Sequence, residues 1–146
     1  MDPRVHFITL GVDDLAAARA FYVDGLGWQP TFEVPGEVVF IQIGPGLLLS
    51  LWHRQSLIDD SGMAVDASPR TSAFTLSHNV DSEDGVREIM RIAESAGAKV
   101  LKPAQKADFG GFHGHFADPS GFVWEIAHNP GWRIEPDGTV ALGPVD

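Results

Sequence analysis

Apolar and polar positions along the chain follow two periods, and these divide it into short elements. Val5-His6-Phe7-Ile8-Thr9-Leu10 is β-branched and aromatic, which predicts a strand. Asp13 and Asp14 then supply an N-cap and an acidic first turn. Leu15, Ala18, Phe21, Tyr22 and Leu26 follow at helical spacing, and Gly25 and Gly27 end that helix. Alternation predicts strands over 28–33, 38–43 and 47–53, with Gly44-Pro45-Gly46 as the turn of a hairpin. The stretch 55–70 holds Asp59, Asp60, Ser61, Gly62, Ser68 and Pro69 and has little periodicity. It reads as a linker or lid with room for one helical turn.

The pattern then recurs. A strand is predicted over 72–80, and Asp81 and Ser82 offer helix caps, with Asp84 in capping-box spacing from Asp81. Val86, Ile89, Met90, Ala93 and Ala96 form an apolar helical face that Gly97 ends. Strands follow over 99–101, 111–117 and 122–128, the last two joined by a turn at Asp118-Pro119-Ser120-Gly121. Phe7-Ile8-Thr9-Leu10 aligns with Phe74-Thr75-Leu76-Ser77, Asp13 with Asp81, and Gly27 with Gly97. The chain is thus read as an α+β fold of two tandem βαβββ modules repeating at about 70 residues. The expected arrangement is a curved, cup-like mixed sheet with helices on its outer face. Module 1 spans about 4–54, the linker 55–70, module 2 about 71–130, and a hairpin tail 131–146, all within one domain.

Composition narrows the function. The 146 residues include 10 Lys plus Arg against 20 Asp plus Glu, a net charge of −10. That balance argues against nucleic acid and against anionic membrane surfaces, and it permits a cationic guest. The absence of Cys excludes disulfides, thiolate metal sites and a cysteine nucleophile. No apolar run approaches the roughly 20 residues of a membrane span, and Met1-Asp2-Pro3-Arg4 lacks a signal peptide's apolar segment. A cytoplasmic location is the default expectation. Arg19, Arg87, Arg91 and Lys99 are scattered, so no phosphate cradle is evident.

The duplicated unit resembles the vicinal oxygen chelate superfamily, which includes glyoxalase I, bleomycin-resistance proteins, fosfomycin-resistance enzymes, methylmalonyl-CoA epimerase and extradiol dioxygenases. The resemblance rests on Val5 through Asp13, on Ala20-Phe21-Tyr22 with Leu26-Gly27-Trp28, and on Phe116-Ala117-Asp118-Pro119-Ser120-Gly121-Phe122-Val123-Trp124-Glu125-Ile126. It implies a metal held by one inward side chain from the first and last strand of each module. His6 and Glu125 match such positions. Ser50 stands where a Glu is common and Ala73 where a His is common, so two of the four implied ligands are present. The resemblance also implies a homodimer, domain-swapped or side by side.

Strand alternation extends the reading. If His6 points inward, so do Ile8 and Leu10, while Val5, Phe7 and Thr9 face the helices. Ser50 and Trp52 share a face, as do Thr75 and Ser77, and Phe116 packed under a helix turns His113 and His115 inward. The expected ligand-binding lining is His6, Ser50, Trp52, Thr75, His115 and Glu125, an apolar cavity with a few convergent polar groups. Glu125 in an apolar strand needs His6, His115, an Arg or a ligand as partner, and it is the candidate catalytic residue. His53 and His78 are expected to be exposed bystanders.

Two functions follow. The first is a small-molecule binding protein of the glyoxalase/bleomycin-resistance type, without the complete family metal site, in which Trp52 stacks on a planar guest. The alternative is a metal-dependent lyase or isomerase resembling glyoxalase I. It would use a nonstandard set such as His6, His115 and Glu125 to hold Zn, Ni, Fe or Mn. A filled cup without a cavity would instead indicate a structural partner.

Overall fold

The computed structural model describes Met1 and residues 5–62, 74–108 and 110–141. Ala73 and the predicted start of the strand at Ser72 lie outside the described residues. The chain divides into two compact units, Met1–Thr71 and Ser72–Asp146.

The first unit contains β1 (Phe7–Val12), α1 (Leu15–Arg19), β2 (Pro30–Val34), β3 (Val38–Gly44), β4 (Leu47–His53) and α2 (Arg54–Ser61). Asp14 caps α1 by accepting from the Ala17 amide at 2.9 Å. The helix then widens into a π-helical segment, Ala20–Gly25, that buries Phe21 and Tyr22. The strands lie in the order β1-β4-β3-β2, with β1 parallel to β4 and the other pairs antiparallel.

Register places Leu10 beside Leu51 and Leu51 beside Val39, and sets Leu49 against Ile41. All five are buried, with Val12. The opposite face carries Phe7, Thr9, Phe40, Ser50 and Trp52 around a cavity. The expectation for β1 is therefore reversed: Leu10 and Val12 enter the core, and Phe7 and Thr9 face the cavity. The cause lies in the neighbouring strands, where aliphatic rows face one way and the row Thr9-Ser50-Phe40 faces the other. A further difference is α2. The segment expected as an irregular linker begins with an eight-residue helix. No Gly or Pro interrupts 54–61, and Gly62 closes the helix at φ 67°.

The second unit contains β5 (Thr75–Asn79), α3 (Glu83–Ser95), β6 (Lys99–Lys106), β7 (Phe112–Ala117), β8 (Val123–His128) and a short hairpin of β9 (Arg133–Ile134) with β10 (Val140–Ala141). Strand order is β5-β8-β7-β6, with β5 parallel to β8. The chain thus repeats one βαβββ plan, as expected. Ser82 caps α3 through the Gly85 amide at 3.0 Å, and Val86, Met90 and Ala93 form its buried face. Gly114 admits that helix closely: a Cβ there would stand 3.1 Å from Met90 Sδ and Cε. The strand expected over 99–101 runs on to Lys106, with register shifts on either side of Lys102. Arg87 and Arg91 pair with Glu83, Asp84 and Glu88 along the exposed side of α3, where ion pairs add little. Among the described residues no helix is long and apolar enough to cross a membrane.

Candidate functional site

The face of the second sheet turned away from α3 collects the chain's chemistry. On β8, Trp124 and Ile126 are buried in the core, so Glu125 projects from the other side. On β7, Phe112 and Phe116 enter the core, so His113 and His115 share the face of Glu125. The turn sets this register. Asp118 Oδ1 accepts from the amides of Ser120 at 2.9 Å and Phe122 at 2.8 Å, and the ladder then pairs His115 with Glu125. Ser77 comes from β5, directly opposite Glu125, with Thr75 two residues before it on the same face.

These groups form one hydrogen-bonded line. Ser77 Oγ donates to Glu125 Oε2 at 3.1 Å. His113 Nδ1 lies 2.9 Å from Glu125 Oε1, and Lys102 Nζ lies 2.9 Å from His113 Nε2. An ammonium only donates, so His113 Nε2 accepts from Lys102, and Nδ1 carries the proton given to Glu125. His115 Nε2 stands 3.7 Å from the same Glu125 oxygen, and its Nδ1 is buried with no hydrogen-bond partner among the described residues. The two imidazoles meet edge to face at 5.1 Å. One ligand atom from each of His113, His115 and Glu125 falls within 4.8 Å of the others.

Electrostatics follows from this packing. Burial alone would raise the Glu125 pKa, but hydrogen bonds from His113 and Ser77 and the two imidazoles hold it below the ordinary value. The His115 pKa is lowered, chiefly by burial and also by His113 and Lys102, against the pull of Glu125. Both shifts leave the unfolded chain with more bound protons than the folded one at acid pH, so stability falls on acidification. The His115 contribution is expected to be lost as pH drops below its ordinary value of 6.5, and that of Glu125 as pH drops below 4.5. Urea midpoints across this range should fall, and His115→Gln should flatten the upper part of the fall.

The remaining predicted residues belong to the first unit. Ser50 and Trp52 line the first unit's cavity of about 310 Å³, with Phe7, Thr9, Glu37, Val38 and Phe40. His6 precedes β1 and is exposed, and its carbonyl accepts from the Leu48 amide at 2.8 Å. Among the described residues the group able to share a cation is His113, His115 and Glu125, all in the second unit. His53 is half-buried, with Nε2 3.1 Å from the Gly36 carbonyl oxygen, so it is not the exposed bystander expected.

Lys102 was not legible in the sequence. Its strand carries Pro103 and two register shifts, which break the period-two pattern that would assign it a face.

Comparison with known proteins gives the context. The family model described as Glyoxalase/Bleomycin resistance protein/Dioxygenase superfamily matches residues 4–126. A crystal structure of a glyoxalase-related enzyme from Fulvimarina pelagi is 42% identical, with TM-score 0.87, covering 97% of this chain and 99% of that one. A lactoylglutathione lyase from Agrobacterium tumefaciens shares the fold at 24% identity and TM-score 0.64, covering 88% and 95%. A glyoxalase/bleomycin resistance protein/dioxygenase from Nocardioides does so at 22% and 0.72, covering 88% and 84%. No curated protein matches the chain.

Proposed function

The chain belongs to the glyoxalase/bleomycin resistance protein/dioxygenase superfamily, and from that premise we propose that it is a small-molecule binding protein whose ligand face is the Glu125 side of the second sheet. The observation that carries the reading is the line Ser77, Glu125, His113, Lys102. A carboxylate, an imidazole and an ammonium are held there by one another on one sheet face, with His115 beside them. Such pre-organised polar groups orient a ligand at small entropic cost. The first unit carries its own cavity of small-molecule size, lined by Ser50 and Trp52. Glu125, held ionised, serves as an acceptor on bound ligand.

A second reading, a metal-dependent lyase or isomerase, is favoured by the closeness of His113, His115 and Glu125. Two imidazoles and a carboxylate suit Zn(II), Ni(II), Fe(II) or Mn(II), and His115 Nε2 is the nitrogen turned to the Glu125 carboxylate, at 3.7 Å. The set fits on one condition. If His113 binds a cation through Nδ1, Nε2 must carry the proton, and it can no longer accept from Lys102. If it binds through Nε2, the cation takes the place of the ammonium. Either way Lys102 leaves His113. A bound ion would supply Lewis-acid polarisation of a carbonyl oxygen.

Titration of chelator-treated protein with each of the four ions separates the readings. The binding-protein reading expects weak or substoichiometric uptake. Stoichiometric, tight uptake that disappears in His113→Ala and Glu125→Gln, and persists in His6→Ala, establishes the metal enzyme instead.

A further inference from the structure

The electrostatics of Lys102 differs from that of four of the arginines. Arg19, Arg87, Arg91 and Arg133 each pair with a carboxylate, as an acidic chain readily allows. Lys102 is half-buried, and among the described residues its hydrogen-bonding partner is an imidazole and no carboxylate pairs with it. Its ammonium has three donors, and His113 takes one. His113 is only 7% exposed and is fixed from its other side by Glu125, so the lysine is held rather than free to swing. An ammonium kept in place with two donors unspent is a receptor for an oxygen anion.

We propose that Lys102 is the anion-recognition residue of the ligand face and binds the carboxylate of a small organic monoanion. This rests on the small-molecule reading above and names the chemistry of its ligand. The surroundings favour a low ligand charge. Lys102 and the ionised Glu125 already cancel across His113, so a bound carboxylate leaves the cluster at a single negative charge, whereas a phosphate, at about −1.5 to −2, would leave it more negative still. The overall charge of −10 favours a cation only at long range, and salt screens that field within about 10 Å. Contact with Lys102 decides the sign locally.

The test uses three probes of similar size: pyruvate as the anion, pyruvamide as its neutral counterpart, and acetonyltrimethylammonium as the cation. Each is titrated into the full chain with chelator present and pH fixed, and the imidazole nitrogen shifts of His113 and His115 are followed by NMR. The expected result is saturable binding of pyruvate in preference to the other two. Affinity should fall at least ~10-fold in Lys102→Met and be largely restored in Lys102→Arg. A purely structural lysine would not produce this charge selectivity. Pyruvate bound equally well by Lys102→Met, or preference for the neutral or cationic probe, overturns the assignment and leaves the small-molecule reading standing. Failure of all three to bind overturns both.

Discussion

Glu125→Ala is expected to lower stability by about 1–3 kcal/mol. The reasoning starts from what the carboxylate satisfies. His113 is buried, and its Nδ1 proton is directed at Glu125 Oε1. Ser77 donates to the other oxygen. Truncation takes the acceptor from the buried His113 Nδ1, while the exposed Ser77 hydroxyl can turn to water. A buried donor without a partner is more costly than the net value of the bond it formed, which sets the upper end of the range. Glu125→Gln is a sharper probe. Its carbonyl oxygen can accept from one of the two donors, so most of the stability should survive, while the charge disappears. Urea unfolding should therefore rank the wild type first, Glu125→Gln second and Glu125→Ala last. Equal stability of all three would mean that the hydrogen bonds of Glu125 add nothing to the fold.

Phe116→Ala is expected to destabilise the chain by about 3–5 kcal/mol, the largest effect of any single change considered. Phe116 is 2% exposed and lies opposite Trp124 on β8 and Val100 on β6, on the face shared with Gly114 and Met90. Its neighbours are held in a sheet ladder and cannot collapse into the space left behind. The loss is a large share of a typical total of about 5–15 kcal/mol, so the variant should melt at a markedly lower temperature. Calorimetry together with His113 and His115 imidazole spectra would follow it. The two histidines are set by the same strand, so their edge-to-face contact should loosen with the core beneath it.

The two substitutions also mark where the sequence was readable. Phe116, Trp124 and Ile126 alternate cleanly with His115 and Glu125, so the side of β7 and β8 that carries chemistry follows from the period of two. That His115 stands opposite Glu125 does not follow from the period, because it depends on the two bonds accepted by Asp118 in the turn. The first strand was harder. Val5, Phe7, Ile8 and Leu10 are apolar on both faces, so the period gives no direction, and starting from an inward His6 reversed it. The helices α1 and α3 were legible from their caps and Gly stops, whereas α2 has no side-chain cap to announce it, and the π-helical widening after Arg19 leaves the apolar spacing almost unchanged. Lys102 needed three-dimensional information throughout, because a bulged strand decouples a residue's number from the face it occupies.

Every described strand pairing of the first sheet lies between Phe7 and His53, and the parallel closure of β1 on β4 completes it. No ladder partner has to be supplied by the second half. During synthesis the first sheet can therefore hydrogen-bond fully while the residues of the second are still being added. The second unit repeats the same sequence of events, with β5 waiting unpaired along one edge until β8 emerges. A stalled ribosome or a truncation just before Val123 would leave that edge exposed together with the part of α3 that β8 covers. Nascent chains of this length should be the ones most in need of a chaperone.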